Sequence, residues 1–174
     1  SKSPAIFDPL KLRAINAAYI RALPAEEFRR LADPFIDSAV HCDIDRDLLC
    51  ANLQPRCEVL EDIPPQLDFF DAVLPIDAEM YRNKKQKTTP ESAKEALTAL
   101  LPVLEAQTDW TRDAIFEACK TLAEKVEKKN GWLLFPLGIA LSGKARTPGG
   151  GTDLAAMMGR EETLKRVKDA LGKL

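Results

Sequence analysis

After Thr89-Pro90-Glu91, the residues Ala93, Ala96, Leu97, Leu100, Leu101 and Leu104 recur at spacings of three and four. That period belongs to a helix with one apolar stripe and cannot serve a strand, whose side chains alternate every two residues. Threonine can cap such a helix, and proline fits its first position because no hydrogen bond is lost there. A striped helix must be covered by something. Alanine and leucine are abundant, runs of β-branched residues are rare, and aromatics make up only 6% of the chain. This mixture favours helices as the cover, so an all-α fold is expected.

Other segments follow the same logic. Asp8 caps a helix begun by Pro9, with Leu10, Leu12, Ile15, Tyr19 and Ile20 expected on one face. A short helix is expected from Ala25 to Ala32, broken by Asp33-Pro34, and a longer one from Asp45 through Leu48, Leu49 and Leu53 toward Leu60. Ile63-Pro64-Pro65 should end it, and Leu67 to Val73 reads as another short helix stopped by Pro75. Asp77 to Thr89 is polar and irregular, and is taken as the connection between two sub-domains. A helix starting at Thr111 should turn Ala114, Ile115, Ala118, Cys119, Leu122 and Val126 inward and stop at Asn130-Gly131. Trp132 to Leu141 is continuously apolar, and its helical neighbours favour a buried helix. Asp153 to Met158 and Glu161 to Leu171 complete the series.

Several functions find no support. No apolar run approaches the ~20 residues of a membrane-spanning helix. Ser1 to Phe7 carries no signal-peptide pattern, so a cytoplasmic location is expected. The four cysteines form no Cys-x-x-Cys pair and His41 is the single histidine, so no metal site is expected. His41 reads as a surface or half-buried residue without an identifiable partner, and the cysteines as reduced thiols in a helical core. No nucleophile has a recognisable base, and no carboxylate pair is marked as a catalytic dyad, so no catalytic residue is assigned. The net charge of −2 does not suggest a nucleic-acid partner, but its distribution is uneven. Acidic residues dominate from Glu26 to Glu79, whereas Lys144, Arg146, Arg160, Lys165, Arg166, Lys168 and Lys173 make the end basic. Local basic patches are what an RNA backbone requires. Lys84, Lys85 and Lys87 read as a solvated face.

One motif fails on mechanism. Gly138 to Lys144 has the spacing of a phosphate-binding loop, but Ala145 stands where a magnesium-binding Ser or Thr is needed. Arg146-Thr147-Pro148 followed by three glycines then makes a loop, where a helix N-terminus would be required.

Three segments carry more information together than separately. They are Phe7-Asp8-Pro9-Leu10-Lys11-Leu12-Arg13-Ala14-Ile15-Asn16-Ala17-Ala18-Tyr19-Ile20-Arg21; Leu53-Gln54-Pro55-Arg56-Cys57-Glu58-Val59-Leu60-Glu61-Asp62-Ile63-Pro64; and Phe135 to Gly143 with Thr147-Pro148 and Leu154 to Leu164. In this order they resemble the C-terminal region of bacterial-type glutamyl-tRNA synthetases, over nearly the whole chain. The resemblance implies an all-α fold of two successive helical bundles that grip the tRNA anticodon arm. Residues 1–20 would end the stem-contact region, 21–71 would form the first anticodon-binding bundle, and 72–174 the second. The His-x-Gly-His and Lys-Met-Ser-Lys signatures of the catalytic half are absent. Together with the start at Ser1, this suggests a piece of a longer enzyme. No cofactor is expected in this piece, whereas the parent would use ATP and magnesium. The implied partners are tRNA(Glu) and the catalytic domain of the same polypeptide, with neither DNA nor a membrane, and a monomer is expected. A helical protein-interaction module without RNA binding is the alternative.

The resemblance also implies roles for residues. Arg56 stands at the place of the arginine that contacts the third anticodon base. Guanidinium offers only donors. Cytosine, which ends glutamate anticodons, presents acceptors at O2 and N3, whereas the pairing edge of guanine, which ends glutamine anticodons, presents donors at N1 and N2. Arginine therefore favours the first and opposes the second. The alternative for Arg56 is an ion pair with Glu58 or Asp62. Thr147 and Pro148 match a loop that approaches the middle base, although an ordinary turn fits them too. Gly138 stands where the family often has an arginine near the anticodon, and Lys144 or Arg146 is the expected replacement. Ala14 replaces a common tryptophan, while Asn16 and Tyr19 keep the family pattern.

Overall fold

A computed structural model describes residues 8–174. The expectations on Ser1 to Phe7, and Phe7 of the first segment, lie outside the described residues. Among the described residues the chain is all-α: α1 (Pro9–Ala22), α2 (Ala25–Asp37), α3 (Arg46–Leu53), α4 (Pro90–Ala106), α5 (Arg112–Lys125), α6 (Asn130–Ser142), α7 (Gly151–Met158) and α8 (Arg160–Gly172). Single 3₁₀ turns fill Gln54–Arg56, Leu60–Asp62, Pro64–Gln66 and Ala78–Tyr81.

The caps explain where the helices begin. The Asp8 carboxylate accepts from the Leu10 and Lys11 amides, Asp45 accepts from Leu48 N–H at 3.0 Å, and Thr89 and Ser92 cap each other's amides. The α4 stripe is buried as expected at Ala93, Ala96, Leu97, Leu100 and Leu104. The apolar stretch from Trp132 is indeed a buried helix, α6, apolar on nearly every side and packed against α4, α5, α7 and α8.

Four expectations are corrected. Asp33-Pro34 does not break α2, which runs on to Asp37. Its stripe of Phe28, Ala32 and Ile36 is fully buried, and that burial outweighs the hydrogen bond Pro34 cannot make. The helix from Asp45 does not extend toward Leu60. It ends at Leu53, because Pro55 lacks the N–H that would continue it, and the chain tightens into the Gln54–Arg56 turn. Residues 67–73 form no helix, although Leu67, Phe69 and Phe70 are buried. The carbonyls of Phe69 and Phe70 accept from the buried Arg166 guanidinium at 2.7 Å. Finally, Asn130 starts α6, and α5 stops at Lys125, where Glu127 turns left-handed and Lys128 N–H closes back on Ala123 C=O.

Helix α1 differs in its packing. Ala17 and Ile20 are buried, but Leu10, Leu12, Ile15 and Tyr19 are 78%, 49%, 60% and 73% exposed. No described residue covers that face. Elsewhere one apolar cluster runs without a break from Ile20 to Ala170. Hydrogen bonds cross between the earlier and later helices, from Asp45 N–H to Met157 C=O at 2.8 Å and from Leu74 N–H to Ser142 C=O at 3.1 Å. Arg166, counted from sequence among the basic surface residues, is 3% exposed and belongs to this seam.

Candidate nucleic-acid interface

Arg56 is the last residue of the 3₁₀ turn after α3 and is exposed. Pro55 sets the turn and Cys57 anchors it, its side chain buried and its thiol pushed up to about 11 by that burial. Gln54 holds the other side by donating to the carbonyls of Ile20 and Leu23, both at 2.9 Å, which also caps the end of α1. The carboxylates expected to compete for Arg56 are engaged elsewhere. Arg13 of α1 donates to Glu58 at 2.7 Å and also to Asp62. Among the described residues Arg56 has no ion-pair partner.

The 144–151 loop lies beside α3. Gly149 sits at φ +119°, where an added Cβ would come 2.7 Å from Asp153 Cβ and 3.1 Å from Asn52 Oδ1. Asn52 is on α3, about one helical turn before Arg56. Thr147 hydrogen bonds through its hydroxyl to Gly149 C=O at 2.8 Å, closing the loop on itself. Pro148 is buried, so it shapes the loop from beneath and offers no outer surface. Lys144 turns back to the earlier helices, donating to Pro65 C=O at 3.1 Å and Asp68 at 2.9 Å. Arg146 is exposed and unpaired among the described residues. The fold thus sets the loop carrying Thr147 and Arg146 against α3, whose end runs into the Arg56 turn, while Lys144 ties that loop to Asp68 and Pro148 lies beneath it.

The phosphate-loop spacing is rejected by geometry. Gly138 to Ser142 is the last turn of α6, and Gly143 closes it in a left-handed conformation at φ +73°. Lysine there meets the carbonyl end of a helix, which repels phosphate. Gly138 faces the backbone of Gly151, and a Cβ there would meet it at an ordinary 3.9 Å.

Sequence reasoning missed three elements. His41 does have a partner: its Nδ1 lies 2.6 Å from Asp71 Oδ2, and its backbone N–H donates to Asp71 Oδ1 at 2.7 Å. These bonds hold the Asp71 carboxyl down to about 2. Cys42 is exposed, outside the core that was expected to hold all four thiols, whereas Cys50 and Cys119 are buried and pushed up to about 11 and about 12. Arg13 carried no signal in its own sequence neighbourhood. Among the described residues no group of three metal-ligating side chains converges, and no helix is long and apolar enough to cross a membrane.

The described chain is all-helical, with an exposed Arg56 on the turn after α3 and a glycine-rich loop against α3. The helical architecture is shared with a crystal structure of a glutamate tRNA ligase from Elizabethkingia meningosepticum in complex with its amino acid. That match has a TM-score of 0.78 and 23% identity over 99% of this chain and 34% of that one. A glutamate-tRNA synthetase from Elizabethkingia anophelis matches with a TM-score of 0.76 and 21% identity, over 98% of this chain and 33% of that one. Among curated relatives, a glutamate–tRNA ligase of Clostridium botulinum is 44% identical over 174 residues, 100% of this chain and 36% of that protein. The ligase of Clostridium acetobutylicum is 39% identical over 175 residues, with the same coverage. Residues 14–171 match the family model described as "Anticodon binding domain", and the chain belongs to that family. It spans about a third of the length of these curated relatives.

Proposed function

We propose that this chain is the anticodon-gripping region of a glutamate–tRNA ligase. It would hold tRNA(Glu) for ATP- and magnesium-dependent aminoacylation by a catalytic domain of the same polypeptide, working as a monomer in the cytoplasm. Residues 21–71 are assigned to a first bundle that carries Arg56, and 72–174 to a second that carries the 144–151 loop. The observation that carries the reading is the state of Arg56: exposed, on a braced turn, with Glu58 and Asp62 both engaged by Arg13. Such a guanidinium presents its donors to the O2 and N3 acceptors of a splayed cytosine, where the pairing edge of guanine sets the N1–H and N2–H donors against it. Arg146, exposed and without an ion-pair partner among the described residues, is assigned to a phosphate, and Thr147, whose hydroxyl oxygen keeps acceptor capacity, to the middle base.

The test is binding of this chain at low salt to a glutamate tRNA transcript and to the same transcript with its third anticodon base changed from cytosine to guanine. Preference for cytosine, lost in Arg56→Ala, is the expected result. Discrimination at the level of one good base contact is about 10-fold or more. Equal binding to both transcripts would remove Arg56 from base reading. A protein-interaction role is favoured by the exposed Leu10, Leu12, Ile15 and Tyr19 face alone. It would take over if neither this chain nor a longer protein retaining the catalytic half bound either transcript.

A further inference from the structure

The Arg56 turn is held by α1 at both edges. Gln54 reaches the last carbonyls of α1, Asn16 Nδ2 donates to Glu58 C=O, and Arg13 forks between the carboxylates of Glu58 and Asp62. Glu58 is two residues beyond Arg56, a backbone span of at most about 7 Å, and the Asp62 carboxylate meets that of Glu58 on the one Arg13 guanidinium. Their side chains are half exposed, at 51% and 43%, and would be free to swing if released. Glu61, the remaining acid of this segment, lines a groove with Tyr19, Leu31 and Val59 instead. The arrangement therefore does more than brace the backbone.

We infer that Arg13 is a positioning residue for Arg56: by occupying both carboxylates, it prevents them from capturing the Arg56 guanidinium and leaves that group available to a base. The inference rests on the anticodon reading above for its consequence, but its physical core concerns only the protein. Without Arg13, Glu58 or Asp62 pairs with Arg56 in an exposed ion pair. Such pairs are weak, and the expected effect on a competing ligand is about two- to five-fold. Cytosine binding, which uses Arg56, falls by that factor. Guanine binding, which does not, stays, so the ratio of the two falls by the same factor.

Two measurements test this. The first needs no RNA: the Arg56 Nε–H resonance of the ¹⁵N-labelled protein. Arg13→Met is expected to shift it and slow its exchange with solvent, and Arg13→Met/Glu58→Gln/Asp62→Asn to return it to the original position. An unchanged Arg56 resonance in Arg13→Met overturns the inference. The second is the cytosine-to-guanine binding ratio. It is expected to fall two- to five-fold in Arg13→Met and to recover in the triple variant. A triple variant as defective as the single one would make Arg13 a packing residue and overturn the inference. Arg13→Lys, which keeps the charge but not the fork, is expected to lie between. If the unaltered chain shows no preference for cytosine, the anticodon reading fails, while the Arg56 resonance still decides whether Arg13 controls its pairing.

Discussion

Replacing Arg166 by methionine should destabilise the protein more than any surface substitution. The guanidinium is 3% exposed and donates at 2.7 Å to the carbonyls of Phe69, Leu141 and Phe70, and at 2.8 Å to Glu162. Phe69 and Phe70 lie in a non-helical segment, and Leu141 is in the last turn of α6, where helix carbonyls have no intrahelical donor. Hydrogen bonds from a charged donor contribute about 1.5–3 kcal/mol each, offset by several kcal/mol for removing the cation from water. Methionine fills much of the volume but leaves the carbonyls of Phe69 and Leu141 without a donor, each costing about 1–3 kcal/mol before the backbone relaxes, and that of Phe70 with only the weak Cys42 thiol. Relaxation and the relief of burying a charge reduce the sum, and a net loss of about 3–5 kcal/mol is expected, as for a broken buried ion pair. That is a large share of the ~5–15 kcal/mol that holds a domain together. Equilibrium urea unfolding read by circular dichroism measures it, with Glu162→Gln as the control. Glu162 is 39% exposed, so its removal should cost less than about 1 kcal/mol. A loss below about 1 kcal/mol for Arg166→Met would refute the view that this cation secures the seam between the earlier and later helices.

Three further outcomes follow from the geometry. Gly149→Ala puts a Cβ at φ +119° and 2.7 Å from Asp153 Cβ, so it should lower stability by about 1–3 kcal/mol in thermal unfolding and weaken tRNA binding by displacing the 147–150 loop. Gly172→Ala, which meets nothing within 4 Å, should be neutral or slightly stabilising. Asp71 has its carboxyl lowered from 3.8 to about 2, so its stabilising effect is complete above about pH 4 and lost as pH falls through about 2. Asp71→Asn should therefore unfold more readily than the unaltered protein in urea at pH 7, with the gap closing between pH 4 and 2. A gap that keeps its full size from pH 4 down to pH 2 would exclude the charge of Asp71 as its cause.

The sequence by itself determined whatever depends on near neighbours. The α4 start and stripe, the apolar α6, the caps at Asp8, Asp45 and Thr89, and the all-α class were legible because capping and helical period act within about four residues. The resemblance carried by the three segments singled out Arg56 and the Thr147-Pro148 loop as candidates. What the tertiary structure decided is which group meets which. Pro34 passes inside α2 because the helix is buried on Phe28 and Ile36, not because local propensity allows it. Residues 67–73 stay non-helical while a cation 97 residues from Phe69 takes its carbonyl. That same cation looked from sequence like part of a basic surface. Pro148 lies beneath its loop, and Lys144 ties the loop to Asp68. Glu58 and Asp62, adjacent to Arg56 in sequence, belong instead to Arg13, 45 and 49 residues away. Charges and carbonyls carry no address in sequence; their partners are set by the packing of the apolar stripes, which brings distant groups within hydrogen-bond range only once the helices have docked.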